Sequence, residues 1–203
     1  ELQIEKGIKD KEKLKKNVDL SDPTRKYIHD ALESIDYDHA YQIFLQSPNN
    51  LMIWIYDKEN IDMGMLAGAV HEANHMLNSN LSFSSTSEYQ SKYFFLGDIY
   101  TTGLNFENTV NYSIVEETIP QDLKSHNRYK TYIEGSKDVN GNNFSVILDE
   151  FTAYLGGALF EYRYFISDRM EVLPSNQTRT SDSNPAGTVN FMVYLQCYLK
   201  SAR

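Results

Sequence analysis

Val70-His71-Glu72-Ala73-Asn74-His75 is the stretch that decides how this chain is read. His71 and His75 are four residues apart. On a helix that spacing stacks two side chains on one face, one turn from each other. Both imidazoles can then be aimed at one point, and Glu72 projects close to it. A zinc site that does chemistry takes two or three such ligands and keeps one position open, and hydrolysis needs a base beside that position. His-Glu-x-x-His supplies two ligands and the base together. The plain alternative is a helix that happens to carry two surface or core histidines. The flanks argue against it. Met63, Leu66, Ala67 and Val70 lead into the motif at helical spacing, and Leu77 continues the stripe. Asp62 is placed to cap the start. Gly64 and Gly68 lower helix propensity but allow close packing on that face. The pattern predicts a helix from about Asp62 to Asn78.

Upstream, Ser47-Pro48-Asn49-Asn50 reads as a turn and Leu51-Met52-Ile53-Trp54-Ile55-Tyr56 as a strand, because β-branched and aromatic residues crowd a short apolar run. A strand just before the motif helix would set an edge near the histidines, where an extended peptide could pair. Further back, Ser21-Asp22-Pro23 is a helix start. Tyr27, Ile28, Ala31, Leu32 and Ile35 form that helix's apolar face, and residues 36–46 are expected to form a second helix. Residues 1–20 are polar and rich in lysine, a solvated helix or arm rather than a binding patch.

Downstream, residues 79–92 read as a polar loop. Tyr93-Phe94-Phe95-Leu96 is apolar without a clear period. Val110, Tyr112 and Ile114 alternate with polar residues, as in a half-buried strand. Arg128, Tyr129 and Tyr132 fall in a stretch expected to be helical, and residues 135–143 in a loop. A helix is expected over 144–166, with Phe151, Leu155, Ala158 and Leu159 as its buried face. Glu150, Tyr154, Gly157 and Glu161 share another face. A polar loop over 171–187 precedes a closing helix over 189–199. The expected fold class is α+β: one domain over residues 1–203, mostly helical, with a small, mainly antiparallel sheet beside the His-Glu-x-x-His helix.

Composition narrows the function. The chain has 203 residues, 41% hydrophobic and 13% aromatic, enough for a real core. A net charge of -9 argues against nucleic acid as a partner, since phosphate binding needs a basic face. No run approaches the apolar length of a transmembrane helix. The single cysteine, Cys197, excludes an internal disulfide and a cysteine-based zinc cluster, and its apolar surroundings suggest a buried, inert thiol. The chain starts at Glu1 without a visible signal peptide, so its address cannot be read directly and stays open, with a secreted or cell-envelope setting only weakly favoured. The sequence leaves the oligomeric state open.

Two histidines need a third ligand. One common arrangement places a glycine three residues and a histidine six residues after the second histidine. Asn78 and Leu81 occupy those positions, so that arrangement is excluded. The other source is a glutamate on a later helix, and Asp149-Glu150-Phe151-Thr152-Ala153-Tyr154 offers one. With this pair of segments the chain resembles the gluzincin class of zinc metallopeptidases, over about residues 51–166 in element order. The resemblance implies a zincin-like fold, with His71, His75 and Glu150 as zinc ligands and Glu72 as general base. It also implies a peptide or protein substrate. The gap from His75 to Glu150 is long for a compact member. Where the thermolysin-like subgroup has an aspartate four residues after the ligand glutamate, this chain has Tyr154. Asp149 could be the ligand instead, or could brace a histidine, and His126 is a rival ligand. Tyr132, Tyr154 and His126 are the candidates for steadying a developing oxyanion. Two other readings stand beside the peptidase: a non-catalytic zincin-like binding domain, and a toxin-like effector protease domain.

Overall fold

The computed structural model describes residues 4–5, 11–35, 39–83, 91–95, 101–105, 112–135, 145–167 and 184–201. Eight α-helices carry the described architecture: α1 (Lys11–Asn17), α2 (Pro23–Ile35), α3 (His39–Gln46), α4 (Pro48–Ile53), α5 (Met63–Phe83), α6 (Tyr112–Thr118), α7 (Ser145–Ile166) and α8 (Asn184–Ser201). A 3-10 turn, Gln121–Ser125, and a π-helical turn, Tyr129–Glu134, lie between α6 and α7. Three short strands, β1 (Ile4–Glu5), β2 (Ser91–Phe95) and β3 (Thr101–Asn105), pair antiparallel in the order β1-β3-β2. The register sets Tyr93 opposite Gly103 and Ile4 opposite Thr102. β2 packs against α5. Among the described residues no helix is long and apolar enough to cross a membrane.

Local chemistry explains the helices. The Asp22 carboxylate accepts the Arg25 backbone N–H at 2.9 Å, and Asp62 accepts that of Met65 at 2.7 Å, so each aspartate caps a helix start. α2 buries Ile28, Ala31, Leu32 and Ile35 on one stripe. α3 buries every residue from His39 to Leu45. Fully burying each large apolar side chain here contributes about 1.5–3 kcal/mol before the entropy of ordering it.

The expected α+β class, with its zincin-like sheet, is corrected. Helices dominate the described architecture, and of the two segments expected as strands residues 51–53 and 112–114 are helical, so the three short strands come from other segments. Residues 51–56 hold the end of α4. Pro48 opens that helix at its first turn, and Leu51 and Ile55, four apart, are the buried pair. Ile53 and Tyr56, which looked like strand formers, are 68% and 83% exposed. In the second segment α6 begins at Tyr112, with Val115 and Ile119 buried four apart and Ile114 exposed. Residues 110 and 111 lie outside the described residues. Two smaller boundaries also move. α5 runs on to Phe83, into the expected loop, and α8 starts at Asn184 rather than 189.

Two apolar clusters form the core. The first joins α2, α3, α4 and α5 to the C-terminal part of α7 through Phe160 and Tyr164. The second joins α6, the π-helical turn and α8 to the N-terminal part of α7 through Ile147. α7 therefore belongs to both. Its deepest face is Ala153, Phe160 and Tyr164, while Phe151, Leu155, Ala158 and Leu159 are only half-buried, contrary to expectation. Cys197 is buried in the second cluster, as its context suggested.

Candidate metal centre

α5 and α7 cross with their histidines and carboxylates facing one another. His71 Nε2 and His75 Nε2 are 3.2 Å apart. Glu150 Oε2 is 3.6 Å from His75 Nε2 and 4.0 Å from His71 Nε2. In a tetrahedral site, bonds of about 2.0–2.1 Å hold donor atoms roughly 3.3–3.4 Å apart. The three observed separations bracket that value. Glu150 Oε2 is also buried without a hydrogen-bond partner. A buried carboxylate oxygen without a hydrogen bond is costly unless a positive charge meets it, from the His75 imidazolium 3.6 Å away or from a metal ion. The donor set thus fits a metal ion on distance and on polarity.

The histidines are held from behind. His75 Nδ1 lies 2.8 Å from Asp149 Oδ2. Asn78 Nδ2 donates to the other Asp149 oxygen at 2.7 Å and to Thr152 Oγ1 at 3.0 Å, and Thr152 Oγ1 donates to the Asp149 carbonyl at 2.9 Å. Asn74 Nδ2 donates to the Thr152 carbonyl at 2.9 Å. Asn74 and Asn78 are thus the residues that tie α5 to α7. Of the two roles open to Asp149, the geometry gives it the bracing one. His126 ends the 3-10 turn, is exposed, and does not join the cluster.

Electrostatics separate the two imidazoles. Burial, then the charge of His75, pushes His71 down to about 3. Burial would lower His75 as well, but the hydrogen bond to Asp149 and the charges of Asp149 and Glu150 outweigh it and push the ring up to about 10. Burial raises Glu72; His75 opposes this and Glu150 adds to it, leaving the carboxyl above its ordinary value. Such a shift moves a carboxylate toward the range useful to a base near neutral pH.

The aromatic candidates line the same side. Tyr154 presents its ring edge-on to His71 at 4.4 Å, stacks on Phe191 at 5.2 Å, and carries the Arg128 guanidinium 4.9 Å above its own centroid. Tyr132, on the π-helical turn, hydrogen-bonds to Tyr154. Burial, then the nearby Glu150 charge, drives its hydroxyl well above the usual phenol range, with Glu72 also contributing. The structure therefore brings His71, Glu72, His75, Asp149, Glu150, Tyr132 and Tyr154 into one neighbourhood and leaves His126 out.

Several residues of this site were not singled out from sequence: Asn74, Asn78, Thr152, Arg128 and Asn184. A signal existed for two. Asparagine is a poor helix former, so Asn74 and Asn78 inside a strong helical pattern mark positions whose side chains have partners. Comparison with protein-family models, with curated proteins and with solved structures finds no match for this chain.

Proposed function

We propose that this chain is a zinc-dependent peptidase with a gluzincin-type ligand set: His71, His75 and Glu150 hold the metal, and Glu72 is the general base. The observation that carries the reading is the convergence of three donor atoms, all within 4.8 Å of one another, with the Glu72 carboxylate one residue along the same helix. Two imidazoles and one carboxylate, with no thiolate, suit zinc. When bound there, zinc supplies Lewis acidity that acidifies a water and polarises a carbonyl. Glu72 takes a proton from the attacking water and later passes it to the leaving amine. Tyr132 keeps its phenolic proton at working pH and can donate it as a hydrogen bond to the developing oxyanion. Tyr154 fixes the Tyr132 hydroxyl and walls off one side of His71. The expected peptide-pairing edge at residues 51–56 has no part in this scheme, because those residues belong to the α4 region.

The test combines metal analysis with peptide cleavage. Purified chain is expected to hold one zinc per molecule and to cleave an unstructured protein such as casein. Glu72→Gln should keep the zinc and lose about 10²–10⁴-fold in rate. Equal rates in the variant and its parent would remove Glu72 from the mechanism. Zinc at full stoichiometry with no cleavage by the parent would favour a binding domain instead. Tyr132→Phe should likewise keep its metal and lose roughly 10²-fold in kcat.

A further inference from the structure

Asp149 accounts for His75, but His71 needs its own support, and that support comes from the last helix. Asn184 is the first residue of α8. Its Nδ2 donates to Glu161 Oε1 on α7 at 2.8 Å. Its side chain also reaches His71, where it favours the protonated ring. Since the amide nitrogen is committed to Glu161, the amide oxygen is the atom left to face the imidazole. Gly157 makes the approach possible. A Cβ at that position would stand 2.4 Å from Asn184 Cγ and 2.7 Å from its Oδ1, so the amide lies against bare α7 backbone. Glu161 is itself 7% exposed, a buried carboxylate on the face of α7 that carries Glu150 and Tyr154.

We propose that Asn184, oriented by Glu161, is a positioning residue for His71: its amide oxygen holds Nδ1–H, fixing the tautomer that turns the Nε2 lone pair toward His75 and Glu150. The inference deepens the metal reading above and rests on it for its consequence. A ligating histidine whose other ring nitrogen is tied loses less freedom on binding and becomes more basic, and loss of such a partner typically weakens metal affinity by about 10–100-fold. The site then has two braces of different origin. One comes from α7 through Asp149 and serves His75. The other arrives from α8 and serves His71.

Two measurements on the full chain test this. The first is the ring-nitrogen spectrum of ¹⁵N-histidine-labelled, metal-free protein. The parent should show His71 as the neutral Nδ1–H tautomer, and Asn184→Ala should shift it toward a mixture. The second is zinc affinity by chelator competition, with zinc alone as the probe. Asn184→Ala is expected to bind about 10–100-fold more weakly with its far-ultraviolet circular dichroism unchanged. The double variant Asn184→Asp/Glu161→Gln reverses donor and acceptor between the two positions while keeping an oxygen for His71, and should restore the affinity. Unchanged tautomer and affinity in Asn184→Ala would overturn the proposal while leaving the metal reading intact. If Asn184→Ala fails to fold, the double variant decides: zinc affinity at or above the parental value supports the relay, and a loss of affinity overturns it. A parent that binds no zinc would remove the metal reading first and the role of this brace with it.

Discussion

His71 and His75 are one turn apart on a single helix, yet they titrate in opposite directions. The reason is local. His71 is buried and faces the charge of its neighbour, while His75 lies between two carboxylates. In the metal-free protein at neutral pH the pair therefore carries one positive charge, the extra proton on His75. Metal must displace that proton, so zinc affinity should rise about tenfold per pH unit between pH 6 and 8, as read by chelator competition. Stability of the metal-free chain follows the same groups. His75, raised from 6.5 to about 10, contributes stability that is complete below pH 6.5 and lost as pH rises toward 10. His71, lowered from 6.5 to about 3, contributes stability that is present above pH 6.5 and lost as pH falls toward 3. Considering these two residues alone, metal-free stability should peak near pH 6.5 in urea titrations, and Asp149→Asn should flatten the alkaline side. The same substitution should weaken zinc by about 10–100-fold, because His75 loses its brace.

At the scale of elements, glycines make the sharpest contrast. Gly187 lies in α8, and a Cβ there would come 2.2 Å from Tyr154 Cδ1. Gly187→Ala should lower the melting temperature, because overpacking costs about 1–3 kcal/mol and outweighs a helix-propensity gain of about 0.5–1 kcal/mol. Gly68 in α5 has nothing within 4 Å of such a Cβ. Gly68→Ala should therefore raise the melting temperature, by about 0.5–1 kcal/mol in stability. The same scale shows what could be read from residues alone. α5, α7 and most of α2 were legible because each combines a long 3.6-residue period with capping or breaking residues at its ends. α4 and α6 were not. Each spans only six or seven residues, and in a run that short apolar alternation and helical spacing overlap; Pro48 decided the first and the Val115–Ile119 pair the second. The candidate ligands were legible because the two histidines have a spacing fixed within one helix, with Glu150 on the next long amphipathic one. The Asn184 brace was hidden in a segment whose composition resembled a loop, although Asn184-Pro185 is a helix-start pair of the kind seen at α2.

For the molecule as a whole, α7 is the shared beam of two cores, and the candidate centre sits where α5 crosses it. Phe160, fully buried in the first core on α7, should cost about 3–5 kcal/mol on truncation to alanine, and unfolding should stay a single transition if the two cores act as one unit. An ion bound only by the folded chain adds stability by mass action, about 2.7 kcal/mol at a free concentration one hundred times its dissociation constant. A chelator should accordingly lower the melting temperature of zinc-loaded protein, while leaving that of a Glu150→Ala variant almost unchanged. The position of Asn184 at the head of α8 has a consequence for biosynthesis. During translation α5 and α7 leave the ribosome before α8 does, so a nascent chain can assemble the ligand triad while His71 still lacks its brace. A peptidase of the kind proposed, completed only when α8 docks, would bind metal weakly until that helix has been made.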